Sequence, residues 1–457
     1  MTQSEIYYKK MTETPVSKLI IRLGVPTTVS MLITNIYNLA DTYFVGGLGE
    51  SQQAATGILF TLQAIIQAIA FMLGHGSGSF VSKELADKNI KGATKYVSSA
   101  FFAGAIAGSV LMIFGLVFIE PFMRLLGSTE TILPYAKDYG MWVLISCPFL
   151  VCSLILNNNL RFEGKAFYAM FGLTSGGLLN ILGDYIFIRK MGLGVFGAGM
   201  STAISQIVSF TILIVMYFTK AQSTISLKAV SHRFSDYLAI MRVGLPSLIR
   251  QGLSSLSNGI LNNLMKRFGD SAIAAMSIVG RYSMFVMCVG LGIGQGFQPV
   301  SSFNYEAKKY SRVKKGLFFT IGVGFVLVGI VSLFGVIFAE KIVYIFQSAD
   351  EVIRIGAPAL RYASIGLMFL PLSVPIGMLY QSIRKAEIAS FLSLLRSGLA
   401  FIPLVLIFSY AFGLNGLLLA QPIADIIAGL ISAVFVFIFI KKTPQDEDFN
   451  EKDKEET

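Results

Sequence analysis

Charge is scarce in this chain. Of its 457 residues only 14% are Asp, Glu, Lys or Arg, while 54% are hydrophobic, and a soluble fold of that length needs far more charge to cover its surface. Cysteine is nearly absent: Cys147, Cys152 and Cys288 sit in apolar runs at spacings that fit neither a disulfide framework nor a metal knuckle. Two histidines, His75 and His232, are too few to build a histidine metal site. With no His, Cys or Ser constellation beside a base, nucleophilic chemistry is not expected, so the chain does not read as an enzyme and calls for no cofactor.

What fills the sequence instead is apolar runs long enough to cross a bilayer, which takes about 20 helical residues each. Twelve can be placed, near residues 17–46, 53–81, 93–119, 133–156, 166–188, 195–219, 236–265, 272–301, 315–338, 357–381, 387–411 and 414–440. The expected fold is therefore an all-α polytopic membrane protein. The first run is too long for a signal-peptide core, so the N-terminus is expected to be retained.

The net charge of +11 does not point to nucleic acid, because the basic residues lie in short loops between apolar runs, where they set membrane orientation. They cluster after every second run: Lys83, Lys88, Lys91 and Lys95; Arg161 and Lys165; Lys220, Lys228 and Arg233; Lys308, Lys309, Arg312, Lys314 and Lys315; Arg384 and Lys385; Lys441 and Lys442. The positive-inside rule then predicts a multi-pass protein with both termini cytoplasmic, and the expected location is the plasma membrane of a bacterial cell.

The chain also repeats itself. RLGVP at 22–26 recurs as RVGLP at 242–246, LGESQQAATGI at 48–58 as FGDSAIAAMSI at 268–278, and LGHG at 73–76 as IGQG at 293–296, all at an offset of 220 residues. An even number of spans per repeat gives two six-helix bundles in the same orientation, the architecture of secondary transporters. The expected division is a cytoplasmic segment 1–16, an N-terminal bundle 17–219, a cytoplasmic linker 220–235, a C-terminal bundle 236–440 and an acidic disordered tail 441–457.

Inside the first bundle stand two acids. Asp41, in NIYNLADTYFVG, falls in the outer part of the first span, and Asp184 falls near the outer end of the fifth; Asn180 shares the Asp184 helix face, and Thr202 enters the sixth span at similar depth. A lone carboxylate in hydrocarbon persists when it binds a cation, takes a proton or meets a base. The bland alternative is that Asp184 ends its helix or pairs with Arg189. In the second bundle Arg250 and Asp425 both fall near mid-membrane and suit a structural ion pair, with Arg396 as competing partner. Pro26, repeated as Pro246, removes a backbone hydrogen bond and can hinge the first span.

With twelve spans, the 220-residue duplication, ADTYFVGGLG in the first span and LNILGDYIFI followed by GAGMSTAIS, residues 15–440 resemble the multidrug and toxic compound extrusion (MATE) family. The resemblance implies export of small, amphipathic, often cationic drugs in exchange for H⁺ or Na⁺ by a protein acting as a monomer in the lipid bilayer. It carries the family's cation site onto Asp41, Asn180, Asp184 and Thr202, adds Tyr37 and Asn157 as cavity residues, and suggests that Asp41 acts through a bend at Pro26. Acids that a branch of the family carries in the seventh and eighth spans are missing here, which concentrates coupling on the first half. The rivals are a lipid-linked oligosaccharide or peptidoglycan-precursor flippase, which calls for a basic cavity, and a channel, for which no filter-like repeat occurs.

Overall fold

The computed structural model describes residues 3–446; residues 447–457 of the predicted acidic tail lie outside the described residues. The described chain forms sixteen α-helices: α1 (Gln3–Glu13), α2 (Val16–Gly46), α3 (Glu50–Ala86), α4 (Ile90–Val117), α5 (Ile119–Leu125), α6 (Leu133–Phe162), α7 (Ala166–Asp184), α8 (Gly194–Lys220), α9 (Phe234–Met265), α10 (Asp270–Glu306), α11 (Tyr310–Ile337), α12 (Ala339–Phe346), α13 (Asp350–Leu367), α14 (Leu370–Ser382), α15 (Ala386–Leu394) and α16 (Phe401–Lys442). π-helical segments continue α7 over Tyr185–Lys190 and join α15 to α16 over Leu395–Ala400.

Among the described residues nine helical stretches are long and apolar enough to cross a membrane, or ten when α13 and α14, bent by 46°, count as one span. One stretch, Ala386–Lys442, is 57 residues long. Its backbone leaves helical geometry at Gly413 (φ 57°, ψ −131°), a left-handed conformation that glycine adopts without a Cβ penalty and the place where two predicted spans meet. These features are compatible with twelve crossings.

The duplication is visible in the element boundaries: α10 begins and ends 220 residues after α3, and α11 does the same after α4. Two compact units emerge, one of residues 3–5 and 29–251 and the other of residues 6–28 and 252–446. The chain changes unit inside α2 and inside α9, so each of these helices gives its first half to one unit and its second half to the other.

Glycines make both arrangements possible. In the first unit α9 crosses α3 so closely that a Cβ on Gly76 would strike the Ile240 carbonyl and one on Gly244 the Met72 carbonyl. In the second unit α2 crosses α10 with the matching pair: a Cβ on Gly296 would land on the Gly24 backbone. These four glycines belong to the repeated motifs RLGVP/RVGLP and LGHG/IGQG. Small residues at a crossing let backbones touch, which replaces the hydrophobic drive that is missing between helices in lipid.

Within the first unit α6 is the central helix, packed by α3, α4 and α8; 72% of its most apolar stretch is buried, against 28% for α4. α4 instead turns Ile106, Val110, Ile113, Phe114 and Val117 outward, a stripe at helical spacing that suits lipid. In the second unit α10 takes the central place, against α11, α13 and α14.

The segment 221–233, expected as a linker, is pinned to the first unit. Glu163, buried at the end of α6, accepts from the Gln222 amide (2.5 Å), the Ser223 amide (3.3 Å), the Tyr217 hydroxyl (3.2 Å) and the Ser223 hydroxyl. The amides of Thr224, Ser226 and Ser231 donate to Thr94, Ser98 and Ser99 on α4, at 3.3, 3.0 and 2.9 Å. Backbone that lacks a helix partner is thus satisfied by side chains.

Two outcomes follow from this packing. Gly244→Ala forces α9 off α3 and should cost about 1–3 kcal/mol of stability, seen as a lower melting temperature of the purified protein; an unchanged melt would contradict the crossing. Burial holds the Glu163 carboxyl above the usual carboxylate range, against the pull of its Ser223, Gln222 and Tyr217 donors. The folded chain therefore keeps that proton to higher pH than the unfolded chain, and stability falls as pH rises from about 4 through the raised value. Glu163→Gln should flatten that slope in melts recorded across the acid range.

Candidate functional site

Four helices of the first unit bring the predicted acids together. The second half of α2 supplies Asp41, the end of α7 supplies Asn180 and Asp184, the first turns of α8 supply Ser201 and Thr202, and α6 supplies Tyr139. Asp41 is 3% exposed and Asp184 0%, so neither carboxylate reaches bulk water. They lie within Coulombic range of each other.

The donors present are few. The Tyr139 hydroxyl donates to Asp41 Oδ2 at 2.8 Å and lies 3.3 Å from Thr202 Oγ1. Asn180 Nδ2 donates to Thr202 Oγ1 at 3.2 Å and, at 3.4 Å, to Ser201 Oγ, whose own hydrogen goes to the Asn180 carbonyl at 2.9 Å. Among the described residues, that leaves Asp41 Oδ1, Asn180 Oδ1 and both oxygens of Asp184 buried without a hydrogen-bond partner.

A buried acceptor without a donor costs the full desolvation of that group, and for a carboxylate the cost is large. The arrangement is chemically incomplete as it stands: two adjacent acids repel, and a proton or a cation between them relieves both the repulsion and the orphaned lone pairs. The donor set is hard oxygen only, from carboxylate, amide and hydroxyl, which suits protons and alkali ions rather than transition metals. Among the described residues no group of three or more His, Cys, Asp or Glu is placed to hold a metal ion.

The bland alternative for Asp184 is not realised. The Arg189 guanidinium lies over Gly47 at the end of α2, where a Cβ would come within 3.3 Å of it, and the helix runs on from Asp184 into the π-segment instead of ending there. π-Segments are rare and concentrate at functional sites.

Other expected residues fall elsewhere. Tyr37, one turn before Asp41, lies in its field and packs over Gly177 of α7, so it borders the site. Asn157 does not: its amide donates to the Ala169 carbonyl at 2.9 Å and ties α6 to α7, about 27 Å along α6 from Tyr139. α2 runs through Pro26 without a break, and the Thr27 hydroxyl bonds back to the Leu23 carbonyl at 2.7 Å.

One pairing needs correction. Asp425, expected to pair with Arg250, is instead held by Arg396, whose Nε and Nη2 reach its two oxygens at 2.7 and 3.5 Å. Gln421 adds a bond at 2.8 Å. Arg250 lies in the other unit and donates to Ser247 Oγ at 3.4 Å. The competing partner won because Arg396 sits in the π-segment that leads into α16, the helix that carries Asp425.

Sequence reasoning missed Tyr139 and Ser201. An aromatic inside an apolar helix reads as packing, and nothing in KDYGMW marks the hydroxyl as a donor to a residue 98 positions away. Ser201 had a weak signal in its place beside Thr202.

Known proteins resemble this chain over nearly its whole length. The multidrug export proteins MepA of Staphylococcus saprophyticus and Staphylococcus aureus (strain MSSA476) are each 26% identical to this chain; the first match covers 98% of it and 99% of the relative, the second 96% and 97%. A solved outward-facing structure of a multidrug resistance MATE family transporter of the MOP superfamily superposes with a TM-score of 0.90 at 25% identity, over 97% of this chain and 99% of that one. The MatE family model matches residues 26–186 and again 246–407, one match in each repeat, and the chain therefore belongs to the MatE family.

Proposed function

We propose that this chain is a secondary antiporter of the bacterial cell membrane that exports amphipathic, often cationic compounds in exchange for H⁺ or Na⁺, working as a monomer by alternating access. The observation that carries this reading is the set of buried carboxylate oxygens on Asp41 and Asp184 that have no donor. The multidrug export named in its MepA relatives supports the substrate class.

In this reading a cation from outside neutralises the Asp41 and Asp184 pair, with Thr202, Asn180 and the Tyr139 hydroxyl completing its shell. Occupied and empty sites favour different orientations of the transporter, and drug binding favours the orientation that the cation does not. Each ligand shifts the balance only by its difference in affinity between the two states. One proton entering across 100 mV releases about 2.3 kcal/mol, enough to hold a neutral compound at about a 50-fold gradient. Pro26 is the hinge in this scheme: α2 carries Asp41 in its second half and lacks one backbone hydrogen bond at the proline.

The charge logic gives a direct test. Asp41→Asn and Asp184→Asn should each abolish dye efflux while leaving membrane expression intact, and undiminished efflux would remove both residues from the coupling step. Tyr139→Phe takes away the hydroxyl that donates to Asp41 and should slow efflux about tenfold or more, the worth of a hydrogen bond to a charged group. Proteoliposomes with an imposed pH or Na⁺ gradient, read with a fluorescent organic cation, separate the two coupling ions.

A further inference from the structure

Charge is rare in the spans of the second unit, and on α10 one charged side chain stands between Asp270 and Glu306: Arg281. We propose that Arg281 determines specificity by holding the carboxylate of exported amphipathic compounds, an inference that rests on the export reading above.

Arg281 lies 11 residues into α10, about 16 Å along its axis from the Asp270 end, or about half the thickness of the hydrocarbon. It is exposed, and among the described residues it makes no ion pair and no hydrogen bond. A guanidinium open to lipid at that depth is costly, so its surroundings are wet. The exposed residues of the unit divide accordingly. α11 turns Phe325, Val326, Ile330 and Phe334 outward, an apolar stripe that suits lipid. The second half of α9 instead exposes Asn258, Asn262 and Asn263, and at Gly252 and Gly259 an added Cβ would meet nothing within 4 Å. The same holds at Gly280, next to Arg281. Three amides in hydrocarbon would have no donors or acceptors to meet them, whereas water supplies both.

The nearest matched pair does not answer this charge. Asp425 on α16 is held by Arg396 and Gln421, and Arg396 also reaches Met287 Sδ on α10 at 3.0 Å. One base on that side of α10 is therefore matched by an acid and the other is not. In the first unit the position 220 residues earlier is Thr61, exposed as well, whose hydroxyl donates to the Gly57 carbonyl at 3.4 Å. Duplication kept the exposure and changed the charge, which packing alone does not require.

The chemistry of the ligand follows from what stands around Arg281. A guanidinium only donates, and its fork grips a planar carboxylate with two parallel bonds. Met284 is 52% exposed and Phe285 45%, one turn further along the same face of α10. An apolar body can lie against them while its acid meets Arg281. Lipid headgroups fit this depth poorly, because they stay at the membrane surfaces about 15 Å away.

The test uses the purified full chain in phosphatidylcholine nanodiscs and two dyes with one cationic chromophore: rhodamine B, which carries a free carboxylate, and its ethyl ester, which does not. Binding is followed by fluorescence anisotropy. Arg281→Gln should lower the ratio of acid to ester affinity roughly tenfold or more, the worth of a charge-assisted bond. A ratio that Arg281→Gln leaves unchanged overturns the proposal, and so does a failure of rhodamine B to bind the unaltered chain. Should that variant fail to fold, Arg281→Lys decides by the same ratio: it keeps the charge and loses the fork, so a smaller fall is expected and no fall is the overturning result. The antiport reading is judged separately, by export of the ester from proteoliposomes under an imposed pH or Na⁺ gradient. If the ester is not exported, antiport fails while the binding ratio still decides the role of Arg281.

Discussion

The structure turns on an imbalance between acceptors and donors. Among the described residues, four buried oxygens at the Asp41 and Asp184 site have no hydrogen-bond partner, and the nearest guanidinium along the chain, Arg189, lies over Gly47. In water such oxygens would be solvated freely; inside a helical bundle the protein must supply a donor or admit an ion. Tyr139, Asn180, Ser201 and Thr202 supply part of that need and fix the geometry of the rest. The fold holds this incompleteness in place because α6, the most enclosed helix of its unit, carries Tyr139, and because α7 and α8 pack on each other along their length.

The duplicated fold handles the same helix contact differently in its two halves. Subtracting the 220-residue offset from Arg396 and Asp425 gives Gly176 and Ser205, and these too touch: a Cβ on Gly176 would lie 3.2 Å from the Ser205 carbonyl. One copy closes the contact with a bare glycine, the other with a bidentate ion pair, Arg396 to Asp425. A buried carboxylate matched this closely has no reason to exchange its partner. Duplication therefore supplied two equal frames, of which one keeps its acids open and the other has its acid satisfied.

Much of this was legible in the sequence, and the reasons differ by feature. The spans were readable because the bilayer fixes helix length, and the repeat because its glycine motifs mark the two backbone crossings, where no side chain fits. Asp41, Asn180, Asp184 and Thr202 could be grouped by depth alone, since a helix converts residue count into distance. What the sequence hid was direction around the helix axis. Depth could not tell whether Asp425 faced Arg250 or Arg396, because a π-segment shifts the face that follows it. Nor could depth reveal that Asn157 turns to the Ala169 carbonyl. Passage of α2 and α9 from one unit to the other was likewise invisible, since a continuous apolar helix carries no mark where its neighbours change.

Arg161, buried in the same unit 22 positions after Tyr139 on α6, about 30 Å along the axis, raises the question of whether a base at one end neutralises the acids at the other. Magnitudes decide it. At about 30 Å and an effective dielectric of about 20, opposite unit charges attract by about 0.6 kcal/mol, well below the several kcal/mol that burial of a single ion costs. Arg161 therefore leaves the charge state of Asp41 and Asp184 almost untouched, and their neutrality has to be reached locally. For the acids that means a proton or a cation held among their own oxygens, so the ion that enters there is selected by those few side chains, with little contribution from the chain's overall positive charge.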